Sequence, residues 1–396
     1  RSNVVGSFEA NETVVREIPV PFKADDQIRK VIKYEAEHHL HNCDADDVVV
    51  QYTRVGEAAD GTNLLVFAAR KDALGRRIEQ GRAAGVEFLA LDLDAVSFFD
   101  AASAAGLTDE HPNCVLLNVS NRSTELIFVV EGELRALRSV RIGVDSISQG
   151  LARDMDIDVA EADHKLAEIS AEEEVDGDLL LSVPPSVGSR PETEKSHSEI
   201  QRDLFHQKRD EVVARLKREY VRSSAALRGS AAPAVILGSG PGLQVPGLID
   251  MLTERIGIPL EPFRPSEAFD CRLNGTEPAD FDAGAAVAVG LALKGVGFDP
   301  LGLDFRQEEL RVANKFELLK NAMAVTVTLL FLALMVSAFF LVYKKRSLSE
   351  ERFDPLVTSA FLAFSEVSGK YNALRDTIVP ERDHVDPMQV ERDGER

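Results

Sequence analysis

Two short polar segments carry the residue types that handle phosphate. The first is Asn118-Val119-Ser120-Asn121-Arg122-Ser123-Thr124, held between apolar runs at 114–117 and 126–130. A small polar turn between two buried strands can wrap an anion with its backbone N–H groups. Asn118, Ser120, Ser123 and Thr124 are its candidate ligand residues. The second is Gly238-Ser239-Gly240-Pro241-Gly242, which follows an apolar run at 233–237 and precedes a helix-like segment at 248–256. Glycines admit close backbone approach, and a helix N-terminus favours anions. Gly238, Ser239, Gly240 and Gly242 are the candidates there. This turn also admits a dinucleotide reading, with Glu261 as the ribose acid, but Leu243 fills the third glycine position. It also admits a tight strand–helix turn with no ligand.

Other clusters carry less. His38, His39, His41 and Cys43 end a helical segment among acidic neighbours, and a solvated helix end accounts for them. No metal site and no catalytic residue is assigned. The balance of 45 basic against 66 acidic side chains, a net charge of −21, repels nucleic-acid backbone and excludes it as a partner. Three widely spaced cysteines, Cys43, Cys114 and Cys271, suit a reducing compartment better than a disulfide framework.

The elements that must position the turns can be read from periodicity. A strand at 14–22, a helix at 27–40 with Ile28, Val31 and Ile32 on one face, strands at 48–55 and 63–69, a helix at 72–84 and a strand at 86–93 predict a small β-α-β-β-α-β unit. A helix at 95–105 closes it. The turn at 118–124 then sits in a three-strand meander whose last strand, 134–142, follows Glu131-Gly132-Glu133. Helices follow at 144–155 and 159–173. Residues 172–199 change composition and read as a flexible insertion, and 200–227 as a charged helix anchored by Leu204, Val212, Leu216 and Tyr220. A strand at 259–262 and a small-residue helix at 283–294 complete the soluble part.

Residues 322–342 hold no charge and would span about 31 Å as a helix, the depth of a hydrocarbon core. Tyr343-Lys344-Lys345-Arg346 supplies an interfacial clamp. Basic residues on the two flanks balance in number, and the tighter cluster, Lys344-Lys345-Arg346, favours a cytoplasmic C-terminal side, while cysteine usage places the N-terminal part in the cytoplasm. Beyond the span, Phe353, Val357, Ala360, Phe364, Val367, Tyr371, Leu374 and Ile378 repeat at alternating spacings of four and three. That pattern predicts a coiled-coil seam, and with it a homo- or hetero-dimer, over a lone amphipathic helix. Residues 381–396 read as disordered.

Taken in order, these pieces resemble the actin-like ATPase superfamily, and within it the PilM proteins of type IV pilus assembly. Residues 16–40 resemble the start of that family's inserted subdomain, and 117–143 its second phosphate loop, with Arg138 and Gly143 at the trailing positions. Ala160-Glu161-Ala162-Asp163-His164-Lys165 resembles its AE-x-x-K helix, 237–248 its adenosine loop, and Leu291-Ala292-Leu293 its returning small-residue helix. The family's first phosphate loop has no counterpart here. The trailing span is similar to that of the GspL proteins of type II secretion, or to a PilM joined to the start of PilN.

The resemblance implies a two-lobed α/β actin-like fold with a small inserted α+β subdomain, then one transmembrane helix and a short coiled coil. Its parts would be 1–111, a first-lobe remnant with the inserted subdomain; 112–171, the second-lobe core; 172–232, the acidic insertion and charged helix; and 233–295, the completion of the second lobe. A juxtamembrane linker (296–321), the transmembrane helix (322–342) and the coiled coil with its tail (343–396) would follow. It further implies a single-pass inner-membrane protein with 1–321 cytoplasmic and 343–396 periplasmic. The partners would be PilN- and PilO-like platform proteins, in a family where the cleft beside the inserted subdomain takes a partner's peptide. ATP and Mg²⁺ are the implied cofactors. The family's Asp is Asn118 here, and its Gly is Ser120. Asn lacks the charge that orients Mg²⁺ and water, so a nucleotide-binding scaffold is expected rather than an active ATPase. An active ATPase and an FtsA-type cell-division protein are the alternatives.

Overall fold

The computed structural model describes residues 4–39, 44–58, 61–180, 197–227, 231–273, 275–311, 315–347 and 354–378. Val4–Phe8 forms β1, which no sequence expectation covered. Thr13–Val20 (β2), Asp25–His39 (α1), Val48–Ala58 (β3) and Gly61–Arg70 (β4) follow, then Lys71–Ala83 (α2), Phe88–Leu93 (β5), Asp94–Ala104 (α3) and Leu107–Glu110 (α4). The inserted unit is smaller than predicted. It holds an antiparallel sheet of order β2-β4-β3, covered by Ile28, Ile32 and Ala36 of α1. Val31, expected on that face, is only half-buried.

β5 leaves this unit and pairs in parallel with β1. The reason lies in its burial. Leu91, Asp92 and Leu93 are all enclosed, as in a strand covered on both faces, whereas β2 exposes Arg16 and Glu17. α3, expected to close the inserted unit, instead packs on a later helix. A Cβ at Gly290 would lie 1.7 Å from the Ser97 carbonyl oxygen, so only glycine permits that crossing.

The second lobe is built on Cys114–Val119 (β6), Thr124–Val130 (β7) and Glu133–Val140 (β8). β7 and β8 are joined at Glu131 (φ 55°) and Gly132 (φ 80°), both left-handed, as a two-residue hairpin requires. Asp145–Met155 (α5), Val159–Leu180 (α6), His197–Ala226 (α7), Val235–Ser239 (β9), Leu248–Ile256 (α8), Leu260–Pro262 (β10), Pro265–Ala268 (α9) and Pro278–Gly295 (α10) follow. The sheet order is β10-β9-β6-β7-β8, with β9 parallel to β6. Alternate residues of β6 face two cores. Leu116 joins that of α3 and α10, while Val115 and Leu117 join that of α5, α7 and α8. α6 runs on to Leu180, so residues 172–180 of the expected flexible insertion are helical; 181–196 lie outside the described residues. α7 buries Val212, Leu216 and Tyr220 as expected, and also Phe205.

Residues 303–311 fold back between the first lobe and the inserted subdomain. The Phe305 amide donates to the Leu91 carbonyl at 2.9 Å, on the side of β5 away from β1. Leu303 and Phe305 are fully buried, and the Phe305 ring meets Phe8 edge to face. Arg306, 3% exposed, pairs through its guanidinium with Glu87. Glu308 takes ion pairs from Lys33 of α1 (2.8 Å) and Lys71 of α2 (2.7 Å).

The chain divides into two units, Arg1–Ala313 and Asn314–Arg396. The second contains Lys315–Ser347 (α11) and Asp354–Ile378 (α12). Ala324–Lys344 within α11 is long and apolar enough to cross a membrane, with mean hydropathy 2.6 and none of it buried. On α12, Val357, Phe364, Val367, Tyr371 and Leu374 of the heptad pattern are exposed. Phe353 lies outside the described residues.

Candidate functional site

The parallel pairing of β6 with β9 brings the two phosphate-type segments together. Asn118 is the register partner of Ser239. The turn itself is shorter than the sequence suggested: Asn118 and Val119 are still in β6, and Thr124 already opens β7. This leaves Ser120–Ser123 as the loop, closed by the Ser120 amide donating to the Ser123 carbonyl at 2.9 Å. Its carbonyls are used as well. Val144 and Asp145, at the start of α5, donate to Ser120 (3.2 Å) and Asn121 (2.8 Å). A Cβ at Gly143 would strike both those carbonyl oxygens. Thr124 Oγ1 donates to the Ile142 carbonyl at 2.6 Å, so this hydroxyl braces the loop.

Gly240 has φ +99°, and a Cβ there would lie 2.4 Å from the Val119 carbonyl oxygen. A Cβ at Gly242 would lie 2.2 Å from the Val119 side chain. The glycines of the second segment therefore let β9 and its turn close against β6. Leu243 packs over Gly238, and Glu261 on β10 is exposed.

Three site residues lay outside the sequence expectations, Glu125, Asp94 and Glu9, and Arg122 lay within the quoted turn without being among its candidate ligands. Glu125 follows Thr124 on β7, is fully buried, and faces Asn118 directly across the hairpin. Asn118 Nδ2 donates to Glu125 Oε2 at 2.9 Å, and the hydroxyls of Ser123 (2.6 Å) and Ser139 (3.2 Å) donate to Oε1. Burial pushes the Glu125 carboxyl up, against the pull of those three donors, and the Glu9 carboxylate adds to the rise. Asp94 opens α3 and takes the amides of Ala10 (3.0 Å) and Ala95 (2.7 Å) on Oδ1. Burial pushes its carboxyl well up, and the charge of Glu125 pushes it further. The only sequence signal for Glu125 was a charged residue at the head of an otherwise apolar strand.

A cavity of about 320 Å³ opens here, lined by Glu9 after β1, Arg76, Arg77 and Gln80 of α2, Asp94, and Arg122 of the turn. Arg122 is exposed and makes no ion pair among the described residues. The amides of Asn121, Arg122 and Ser123 find no acceptor among the described residues. Uncommitted amides beside an uncommitted guanidinium suit a phosphate. Buried carboxylates next to them disfavour a bare anion and suit one that carries a divalent cation. The residues present thus fit one side of a Mg²⁺–nucleotide site.

A separate buried cluster lies between α3 and α10. Lys294 Nζ reaches Asp92 (2.6 Å), Asp299 (3.1 Å) and the Leu303 carbonyl. Asp100, also fully buried, has no hydrogen-bond partner on either oxygen. Burial, then the charge of Asp92, pushes its carboxyl to about 8. Of the histidine cluster, His38 Nδ1 donates to the Tyr34 carbonyl within its own helix, and His41 and Cys43 lie outside the described residues.

No family model and no curated protein matches this chain. Solved structures do. The PilM–PilN type IV pilus biogenesis complex aligns over 75% of this chain and 80% of that one, with TM-score 0.58 and 22% identity. The ethanolamine utilization protein EutJ of Carboxydothermus hydrogenoformans aligns over 56% and 61%, with TM-score 0.36 and 13% identity. MreB 5 of Spiroplasma citri bound to AMPPNP aligns over 57% and 64%, with TM-score 0.34 and 12% identity. The first of these likenesses is one of fold: this chain has an actin-like ATPase fold, followed by one helix long and apolar enough to cross a membrane.

Proposed function

We propose that this chain is a membrane-anchored actin-like scaffold in the inner-membrane platform of a type IV pilus or type II secretion machine. The observation that carries the proposal is the docking of residues 303–311. They pack against β5, pair with Lys33 and Lys71 and line one wall of the cleft beside the inserted subdomain, and in sequence they precede the apolar helix. In a PilM–PilN complex two proteins meet; on this reading a PilN-like continuation of the same chain would stand in for the partner. Residues 1–321 would be cytoplasmic and 343–396 periplasmic, where α12 presents Val357, Phe364 and Tyr371 to PilN- or PilO-like partners or to a second copy. ATP with Mg²⁺ would bind at Asn118, Ser120, Ser123, Thr124 and the facing turn of Gly238, Ser239, Gly240 and Gly242, in a scaffold role without turnover.

An active ATPase is the second reading, favoured by the buried acid Asp94 on the cavity wall and by Glu125 behind the turn, whose charge acts on it. The test is co-purification of the full chain, in detergent, with PilO-like platform proteins, beside an ATP hydrolysis assay. Co-purification without turnover supports the scaffold. Turnover by the unmodified chain overturns the scaffold-only reading, and failure to co-purify overturns the platform role. A reporter fused after Arg396 that reads cytoplasmic would reverse the topology.

A further inference from the structure

Asn118 lacks the carboxylate that a phosphate-bound cation takes, yet the site is not short of one. Its cross-strand partner Glu125 holds a carboxylate 2.9 Å from the Asn118 amide. We infer that the site's carboxylate has changed strands: Glu125 supplies the negative charge toward a Mg²⁺–nucleotide, and Asn118 is the donor that positions it. This rests on the phosphate reading of the Ser120–Ser123 turn.

The argument begins with what a purely structural hub would need. Glu125 is bound only by neutral donors, Asn118, Ser123 and Ser139, and no Lys or Arg pairs with it among the described residues. A glutamine would satisfy the same hairpin. Its carbonyl oxygen would accept from both serines, and its amide would donate to the Asn118 oxygen after a flip of that side chain. Burying a neutral amide costs far less than burying an unpaired carboxylate. Here the costlier group sits at zero exposure, close enough to Asp94 and Glu9 that their charges act on one another. Through the Ser123 hydroxyl it is tied to the turn that carries the three uncommitted amides and Arg122, on which a phosphate would rest. A carboxyl that burial holds toward its neutral form beside a phosphate cradle gains its charge when a cation joins the two.

Asn118 fits the positioning role. It is 4% exposed and anchored in β6 between Glu125 and Ser239, and its Nδ2 also bonds Ser120 Oγ at 3.2 Å. An aspartate at 118 would set two carboxylates against each other at hydrogen-bond distance, where like charges resist ionisation. On this inference Asn118→Asp alone harms the site, and it is tolerated only when the charge at 125 is removed.

The experiment is a double-mutant cycle of Asn118→Asp and Glu125→Gln in the full chain, read two ways. The first readout is the melting temperature without ligand. Glu125→Gln raises it, Asn118→Asp lowers it, and the double variant returns to or above the unmodified value. The second is ATP affinity with Mg²⁺ relative to EDTA. The unmodified chain binds more tightly with Mg²⁺, Glu125→Gln loses that advantage by on the order of 10–100-fold, and the double variant regains part of it. Tighter Mg²⁺–ATP binding by Asn118→Asp alone, or an unchanged Mg²⁺ advantage in Glu125→Gln, overturns the inference. A chain that binds no ATP under either condition, while the melting cycle still couples the two positions, overturns the phosphate reading and the cation role with it. Additive melting shifts would overturn the positioning of Glu125 by Asn118 alone.

Discussion

The ring of Phe305 stands edge-on to that of Phe8, with centroids 4.9 Å apart and planes at 78°. Phe8 ends the first strand of the first lobe, and Phe305 belongs to the segment that leads toward the apolar helix. Truncating the buried ring should therefore loosen that segment. Phe305→Ala is expected to cost about 3–5 kcal/mol in urea denaturation of the full chain in detergent. The same change at exposed Phe298 should stay within about 0.5 kcal/mol.

Asp100 makes stability depend on pH in an unusual direction. Its carboxyl moves from an ordinary 3.8 to about 8 on folding, so the folded state favours the protonated form. That contribution is complete below about pH 4 and is lost as pH rises through about 8. Asp100→Asn should therefore stabilise the protein at pH 8.5 by about 1–3 kcal/mol and have little effect at pH 4, measured by thermal melts across that range. A variant equally shifted at both ends would refute the buried charge.

Gly240 tests how the two turns are joined. Alanine there is strained by the positive φ, and its Cβ would press on the Val119 carbonyl. Gly240→Ala should cost about 2–4 kcal/mol, read in thermal melts, and weaken the proposed nucleotide binding through displacement of β6. Gly284→Ala, inside α10 with nothing within contact of a Cβ, is the matched control and should stabilise by about 0.5–1 kcal/mol.

The apolar helix should behave as an anchor. Placing lysine at Phe331 and Leu334 adds about 3 kcal/mol per residue to insertion at the middle of the span. The doubly substituted chain is expected in the soluble or aggregated fraction after alkaline extraction, where the unmodified chain stays in the membrane.

How much of this was written in the sequence differs from element to element. The β6–β7 hairpin, α8 and the apolar helix were legible, because unbroken apolar runs bounded by polar turns fix them locally. The allegiance of β5 was not, since a strand next to the inserted unit in sequence can pair with either sheet, and only its burial on both faces decides. β1 was hidden in a short, weakly apolar stretch, Val4-Val5-Gly6-Ser7-Phe8, that its parallel partner completes. In the site, Asn118 and Ser239 could be named separately, but their pairing is a tertiary fact. Glu125 was missed because a glutamate heading an apolar strand looks like an exposed strand end. Only the register places it opposite Asn118. The docked segment 303–311 carries Asp304, Arg306, Glu308 and Glu309, a composition that reads as linker, and its burial depends on partners in β5, α1 and α2.

The pairing of Asn118 with Ser239 has a kinetic consequence. It closes a loop on the order of a hundred residues, a slow kind of contact for a folding chain. A growing polypeptide exposes β6, β7 and β8 well before β9 exists, so the meander must wait with the open edge of β6 unpaired. The candidate site thus matures late in synthesis, only shortly before the apolar helix itself emerges. The time between these two events bounds how long the chain has to finish its second lobe before its apolar helix is exposed.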